Sequence, residues 1–341
     1  MDKYETIKKI VEEKTVRFPN KTQLAIAVIK NGNPNFYGFK IENNNIISVQ
    51  NENKIFEIGS ITKVFTSTVL ADLVVKNKIN LDTDIQEYFD FSLNENTKIS
   101  LLSLANHTSG LKSHPSNYEM PEITAEKLRN LYREYNEDML IDYLQNEIKI
   151  PKTEEKKFEY SNLGFGLLGY ALGLSQNRPF KELMQEIVFN KYKMTNTYVD
   201  RSNLKNEFVT GLDKNGNETE NWDMDILAGC GVVLSSVSDL SKFVSAHFDE
   251  ANKELALTRK ATITVDDEMK VGLGLGIITT SDNNIIYWHN GGTGGYKSAM
   301  EFDMETKTAS IVLSNVSFFN PNHWDIDRIC TRLTGLNIKG K

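Results

Sequence analysis

The chain has 341 residues, a formal net charge of −7, and 40% hydrophobic and 25% charged residues. That is the composition of an ordinary globular protein with room for two packed units or one large one. It has no basic block or basic-aromatic run, which speaks against nucleic acid as a partner, and its apolar runs are too broken by Lys, Asp or Asn to cross a bilayer.

In chain order, "MDKYETIKKIVEEKTVRF" predicts a charged amphipathic helix with Ile7, Ile10, Val11 and Val16 on its apolar side. It has neither the apolar core nor the small-residue cleavage site of a signal peptide. The compartment stays open: cytoplasmic for the chain as it stands, periplasmic or secreted if a leader has been trimmed. "QLAIAVIKNGNPNFYGFKIE" follows as strand, turn and strand. "KSAMEFDMETKTASIVLSN" repeats that pattern near the other end, with its turn from Asp303 to Lys307, and "WDIDRICTRLTGL" closes with a helical period. Between Leu81 and Trp222 the patterns are mostly helical with long polar connections, among them the stretch from about Lys112 to Glu122 that would shape a cleft. The predicted architecture is an α/β (α+β) fold. Residues 1–80 and 225–341 form an antiparallel sheet domain flanked by terminal helices, residues 81–224 form a mostly helical inserted domain, and a cleft lies between them.

Cys230 and Cys330 are the only cysteines. They have no metal-ligand or redox spacing and read as two buried small hydrophobes rather than a pair. The five histidines show no HxxH or HxxxH spacing, so no metal site is expected.

Three segments carry candidate chemistry. "FEIGSITKVFTSTVLADLVV" (residues 56–75) places Ser60 and Lys63 one helical turn apart at the start of an apolar run in which Ile61, Val64, Phe65, Thr68 and Val69 share a face. SxxK also occurs at Ser109/Lys112 and Ser202/Lys205, but those pairs sit in loop-like, polar surroundings. A serine at a helix start is most often an N-cap. The catalytic alternative is a hydroxyl within reach of an amine, with apolar neighbours that disfavour an ammonium and a backbone N–H at the helix N-terminus facing a developing oxyanion. Tyr160-Ser161-Asn162 is the one YxN among thirteen tyrosines and opens a second apolar helical run. Here too a half-buried tyrosine beside a capping Ser or Asn is the plainer alternative. In "IIYWHNGGTGGYKSAMEF" a β-type run from Ile285 to Trp288 leads into His289-Asn290-Gly291-Gly292-Thr293-Gly294-Gly295, where four glycines in the five positions 291–295 let a ligand approach the backbone.

Ser60-xx-Lys63, Tyr160-x-Asn162 and His289-x-Gly291, in that order around an inserted helical region, resemble the three active-site elements of the serine penicillin-recognising enzymes, in particular the class C β-lactamases with related DD-peptidases, D-aminopeptidases and esterases. "SLLSLANHTSGL", "LAGCGVVLSSVSDLSKF", "GLGLGI" and the strand ending "IVLSN" are similar to that family's pattern in the same order. The resemblance implies a β-lactamase/transpeptidase-like fold and a serine hydrolase that needs no cofactor. Ser60 would be the acylated nucleophile, Lys63 its proton partner, and Tyr160 a second proton-transfer group. Asn162, His289, Gly291 and Thr293 would contact a small-molecule or peptide substrate, and the backbone N–H groups of Ser60 and Gly292 would form the oxyanion hole. An amide substrate, a β-lactam or D-amino-acid peptide, ranks ahead of an ester; the alternatives are a carboxylesterase or a penicillin-binding sensor that stays acylated. The third element departs from the Lys-Thr-Gly usual in class C enzymes. Histidine there is charged only below about pH 6.5 unless perturbed, and Ser317 stands where class C enzymes often carry another carboxylate-recognising Asn, so selection for substrate carboxylates should be weak.

Overall fold

A computed structural model describes residues 3–118, 130–150 and 157–339. The far end of the 112–122 connection, residues 119–122, lies outside the described residues. In chain order the elements are α1 (Lys3–Thr15), β1 (Gln23–Lys30), β2 (Asn33–Glu42), β3 (Asn45–Ser48), β4 (Phe56–Glu57), α2 (Thr62–Val75), α3 (Leu101–Ala105), α4 (Glu137–Asp142), α5 (Asn162–Ser175), α6 (Phe180–Met184), β5 (Thr197–Tyr198) and β6 (Leu234–Ser235). They continue with α7 (Val237–His247), α8 (Lys253–Thr258), β7 (Ile263–Thr264), β8 (Met269–Val271), β9 (Gly276–Thr279), β10 (Ile285–Gly292), β11 (Lys297–Asp303), β12 (Thr308–Ser314) and α9 (Trp324–Lys339).

Nine strands form one antiparallel sheet in the order β3-β2-β1-β12-β11-β10-β9-β8-β7, so the two predicted hairpins, from opposite ends of the chain, meet at its centre. Asn31 and Gly32 both take positive φ, +52° and +76°, as a two-residue hairpin turn requires. "LAIAVI" in β1 is a continuous apolar run rather than an alternating one because both faces of this strand are covered. Leu24, Ile26 and Val28 pack with Ile7, Ile10 and Val11 of α1 and with Ile326, Ile329 and Leu333 of α9. Ala25, Ala27 and Ile29 face the larger core that holds Phe65, Val69 and Phe243. This is the β-lactamase/transpeptidase-like arrangement that the sequence predicts.

Two expectations need correction. Val16 is 81% exposed. It lies past the last residue of α1, where the Phe18 N–H returns to the Thr15 carbonyl (2.9 Å), and Phe18 is the residue that turns inward. The apolar face drawn for the Ser60 run is also too narrow: every residue from Thr62 to Leu73 is buried, so α2 is enclosed on all sides. A second sheet, β4-β6-β5, was not foreseen, because strands of two residues are too short to show a period.

Candidate functional site

β4 delivers the chain to Ile58, and a single 3₁₀ turn, Gly59–Ile61, leads into α2. Gly59 has φ +51°, and a Cβ there would lie 2.6 Å from the Gly292 nitrogen, so the Gly59-Ser60 turn packs directly on the backbone of β10. Ser60 and Gly292, 232 positions apart in sequence, are thereby neighbours. No side-chain cap hydrogen bond forms at this helix start. The Ser60 hydroxyl instead lies 2.9 Å from Lys63 Nζ.

Lys63 is fully buried, and its Nζ also donates to Asn162 Oδ1 (2.8 Å) and to the Cys230 carbonyl (2.8 Å). Three oxygens thus surround one nitrogen that has at most three protons to give. The Cys230 segment is held to α2 by Thr66, whose hydroxyl donates to the Gly229 carbonyl (2.7 Å).

Ser161, not Ser60, is the capping serine: its Oγ accepts the Gly164 N–H (2.8 Å) at the start of α5 and donates to the Lys112 carbonyl (2.8 Å). The Ser161 N–H goes to His107 Nδ1 (3.1 Å). These bonds hold Asn162 toward Lys63, and Asn162 Nδ2 donates to the Tyr132 hydroxyl (3.0 Å). Tyr160, 39% exposed, presents its ring face to Lys63, with Nζ 4.9 Å from the centroid, and lies against His107 with the rings tilted by 31° and their centroids 4.5 Å apart. The contact between Lys63 and Tyr160 is therefore through the ring.

β9 pairs with β10 only from Ile285 to Trp288, which leaves His289 to Gly292 without a neighbour on that edge. Gly291 is obligatory in this packing. A Cβ on it would lie 2.0 Å from the Ile58 carbonyl oxygen, which also accepts a hydrogen bond from Ser298 Oγ at 2.8 Å. His289 is 8% exposed, and its Nδ1–H donates to the Asn290 carbonyl (2.6 Å). Burial, then the charge of Lys63, lower its pKa to about 3 against the pull of that carbonyl, so the imidazole is neutral at physiological pH. The expected weak cation is no cation at all. A small cavity of about 70 Å³ opens between His107, Tyr160, Trp288 and His289.

Thr293 is 1% exposed, and its hydroxyl faces the buried carboxyl of Glu57. Ser317 is buried as well and accepts the Phe319 N–H (3.0 Å), which closes its own turn. Cys230 and Cys330 are both free and buried. Four contributors went unrecognised in the sequence. The Cys230 carbonyl is a backbone atom with no residue signature, Tyr132 lies far from any motif, Ser298 was quoted only as part of the strand after the glycine-rich turn, and His107 was noticed only as part of "LANHTSGL".

A nine-stranded antiparallel sheet with helices on both faces, and an SxxK turn packed against the open edge of β10, define a β-lactamase/transpeptidase-like protein. The beta-lactamase family model matches residues 16–328, and the chain belongs to that family. A β-lactamase of Pseudomonas fluorescens is 26% identical over 259 residues, covering 74% of this chain and 68% of that protein. Several other curated relatives are spanned over only 53% to 58% of their length. Among solved structures, a class C β-lactamase in complex with cefoxitin superposes with a TM-score of 0.79 at 20% identity over 99% of both chains. A β-lactamase/D-alanine carboxypeptidase of Pseudomonas syringae gives 0.75 at 20% identity over 99% and 97%.

Proposed function

We propose that the chain is a serine acyl hydrolase of the class C β-lactamase-like type that forms an acyl-enzyme on Ser60. The observation that carries this reading is the Lys63 amine, 2.9 Å from Ser60 Oγ and anchored on its other sides by Asn162 and Cys230. Lys63 takes the Ser60 proton as Oγ attacks the acyl carbon. The backbone N–H groups of Ser60 and Gly292 hold the oxyanion. Tyr160, beside Lys63, carries a proton to the leaving group and then activates the water that releases the acyl group. Asn162 and the open edge at His289 to Gly292 align the substrate, as an extended chain aligns with an unpaired strand, and Thr293 supports that edge from beneath.

An amide, either a β-lactam or a D-amino-acid peptide, is the first substrate choice, supported by relatives named β-lactamase and by a neighbour named D-alanine carboxypeptidase. An ester is the second, and one observation favours it: neutral His289 and inward-turned Ser317 offer a substrate carboxylate no cation. Intact-mass spectrometry after exposure to a penicillin and to a fluorophosphonate tests the proposal. A transient adduct that Ser60→Ala abolishes is expected. A permanent penicillin adduct would identify a sensor instead, and labelling that survives in Ser60→Ala would move the nucleophile elsewhere. Nitrocefin, D-Ala-D-Ala peptides, D-amino-acid anilides and nitrophenyl esters then rank the substrates.

A further inference from the structure

The open edge of β10 has a second border that the chemistry described above does not use. Successive residues of a strand point to opposite faces. Gly291 points at the Ile58 carbonyl, on the side of the Ser60 turn, and Gly292 points the other way, where a Cβ would stand 2.5 Å from Cδ2 of Phe318. The Phe318 ring therefore covers the far face of the oxyanion strand. From it a row of rings runs in both directions. Toward α9, Phe318 meets His323 with centroids 4.8 Å apart, and His323 meets Trp324 at 4.7 Å. Trp324 covers Lys297, whose partner Asp327 also accepts from the Asn290 side chain (2.7 Å), so this end of the row lies beside Asn290. In the other direction Phe318 meets Phe319 edge-on at 5.7 Å, Phe319 meets Trp222 at 6.4 Å, and Trp222 meets Tyr132, the residue behind Asn162. Phe318 is 41% exposed and Trp324 51%. The turn that carries them is braced. The Phe318 N–H donates to the Thr293 carbonyl (3.1 Å), the Asn320 N–H to the Ser317 carbonyl (3.0 Å) and the His323 N–H to the Asn320 carbonyl (3.0 Å).

We propose that this row of rings is a substrate-binding wall, and that the substrate laid along β10 is an uncharged acyl compound with an aromatic group, an aryl-acyl amide or ester that carries no carboxylate. The inference deepens the acyl-hydrolase reading and rests on it for the bond that is broken. Large rings held exposed by a braced turn beside a reactive serine mark a surface that a ligand covers. A chain that pairs with the unpaired edge of β10 passes the Phe318 ring at Gly292, and rings already fixed in place bind it with little further loss of freedom. The charges around the wall do not suit an anion. Lys297 lies behind Trp324, 1% exposed and 2.9 Å from Asp327. Arg328, one turn beyond Trp324, is paired with Asp325 (2.9 Å), and at the Trp222 end Arg133 and Arg201 both pair with Asp223. His323 donates its Nδ1–H to the Asn320 carbonyl (2.8 Å), and burial lowers its pKa, so it is a neutral ring between two others. A carboxylate placed here would give up water and gain no unpaired cation in return.

The test is calorimetric titration of the Ser60→Ala protein with a matched pair of probes, N-phenylacetyl-D-alanine methylamide and N-phenylacetyl-D-alanine as its free acid. The amide should bind about tenfold more tightly than the acid, and adding Phe318→Ser should weaken the amide by about tenfold while leaving the acid within about twofold. An acid that binds as tightly as the amide, an amide that does not bind, or an amide affinity unchanged by Phe318→Ser would each overturn the proposal. The ratio of amide to acid in Ser60→Ala decides alone if Phe318→Ser fails to fold. No acyl transfer occurs in these titrations, so a failure of the hydrolase reading is seen separately, as absence of any Ser60 adduct in the wild type. Where Ser60 does react, the nitrophenyl ester of phenylacetic acid should exceed that of acetic acid in kcat/KM by about tenfold, and equal values would remove the wall from substrate selection.

Discussion

Gly291→Ala is the sharpest test of how the site is assembled, because the obstacle it creates is backbone. The added methyl carbon would lie 2.0 Å from the Ile58 carbonyl oxygen, 2.9 Å from its carbon and 2.7 Å from Ser298 Oγ. Carbon and oxygen approach to about 3.3 Å at closest, so β10 and the Ile58-Gly59 turn must separate by roughly 1 Å. The Ser298 hydroxyl already bonds that carbonyl at 2.8 Å and opposes the movement. The separation falls between Ser60 and Gly292, the two amides assigned to the oxyanion, and a displacement of about 1 Å at a reacting centre costs on the order of 100-fold in rate. Overpacking of this kind costs about 1–3 kcal/mol in stability. The assay is the second-order rate of fluorophosphonate labelling at Ser60, with urea unfolding to confirm that the variant is folded. A folded Gly291→Ala protein that labels within threefold of wild type would show that this strand does not set the oxyanion geometry.

Tyr160→Phe keeps the ring contacts with Lys63 and His107 and removes the hydroxyl alone. Turnover should fall by about 10²- to 10⁴-fold with the melting temperature nearly unchanged, and an unaltered kcat would remove Tyr160 from proton transfer. His289 should stay neutral from pH 8 down to about 4, followed by its ring carbon shifts in ¹³C-labelled protein; a midpoint near 6.5 would contradict its burial. Since its folded pKa lies below the unfolded value, the neutral ring costs nothing above pH 6.5, and stability is lost as pH falls toward 3. Glu57 acts in the opposite sense. Its folded pKa of about 7 exceeds the unfolded 4.5, so its contribution is fully present below pH 4.5 and is lost as pH rises to 7. That loss is about 3 kcal/mol, and urea midpoints of Glu57→Gln should lack the decline that wild type shows between pH 5 and 7.

The sequence revealed most where a local pattern reports a local structure. Asn31-Gly32 between two apolar runs could only be a tight hairpin, and Ser60 and Lys63 at i and i+3 had to share a helix face. The enclosure of α2 was not legible in that way, because a helix buried on all sides and a half-buried one both show apolar periodicity, and Thr62, Thr66 and Ser67 are polar residue types outside the face drawn from the sequence. Two of these hydroxyls bond backbone across the site instead: Thr62 accepts the Val233 N–H and Thr66 donates to the Gly229 carbonyl. The charge on His289 was misjudged for a related reason. A histidine at the end of a strand carries no sign of its burial or of a lysine on a different helix, and those two facts fix its proton. The Cys230 carbonyl could not have been found at all from residue types, since any residue would supply the same atom.

The position of Lys63 bears on function independently of any family likeness. A lysine side chain is almost never fully enclosed without a carboxylate partner, yet the three acceptors of Lys63 are a hydroxyl, an amide oxygen and a carbonyl, all uncharged. A methionine of similar length would fill the same space without bringing a basic nitrogen into the core. Packing therefore does not account for the lysine, and neither does ion pairing. A requirement that does account for it is a basic nitrogen held 2.9 Å from one particular hydroxyl, with its remaining donors fixed by groups that cannot take the proton away. Proteins retain such locally unfavourable choices where function demands them, and the surrounding contacts, from the Gly59-Gly292 backbone packing to Thr66 on Gly229, hold that nitrogen in place.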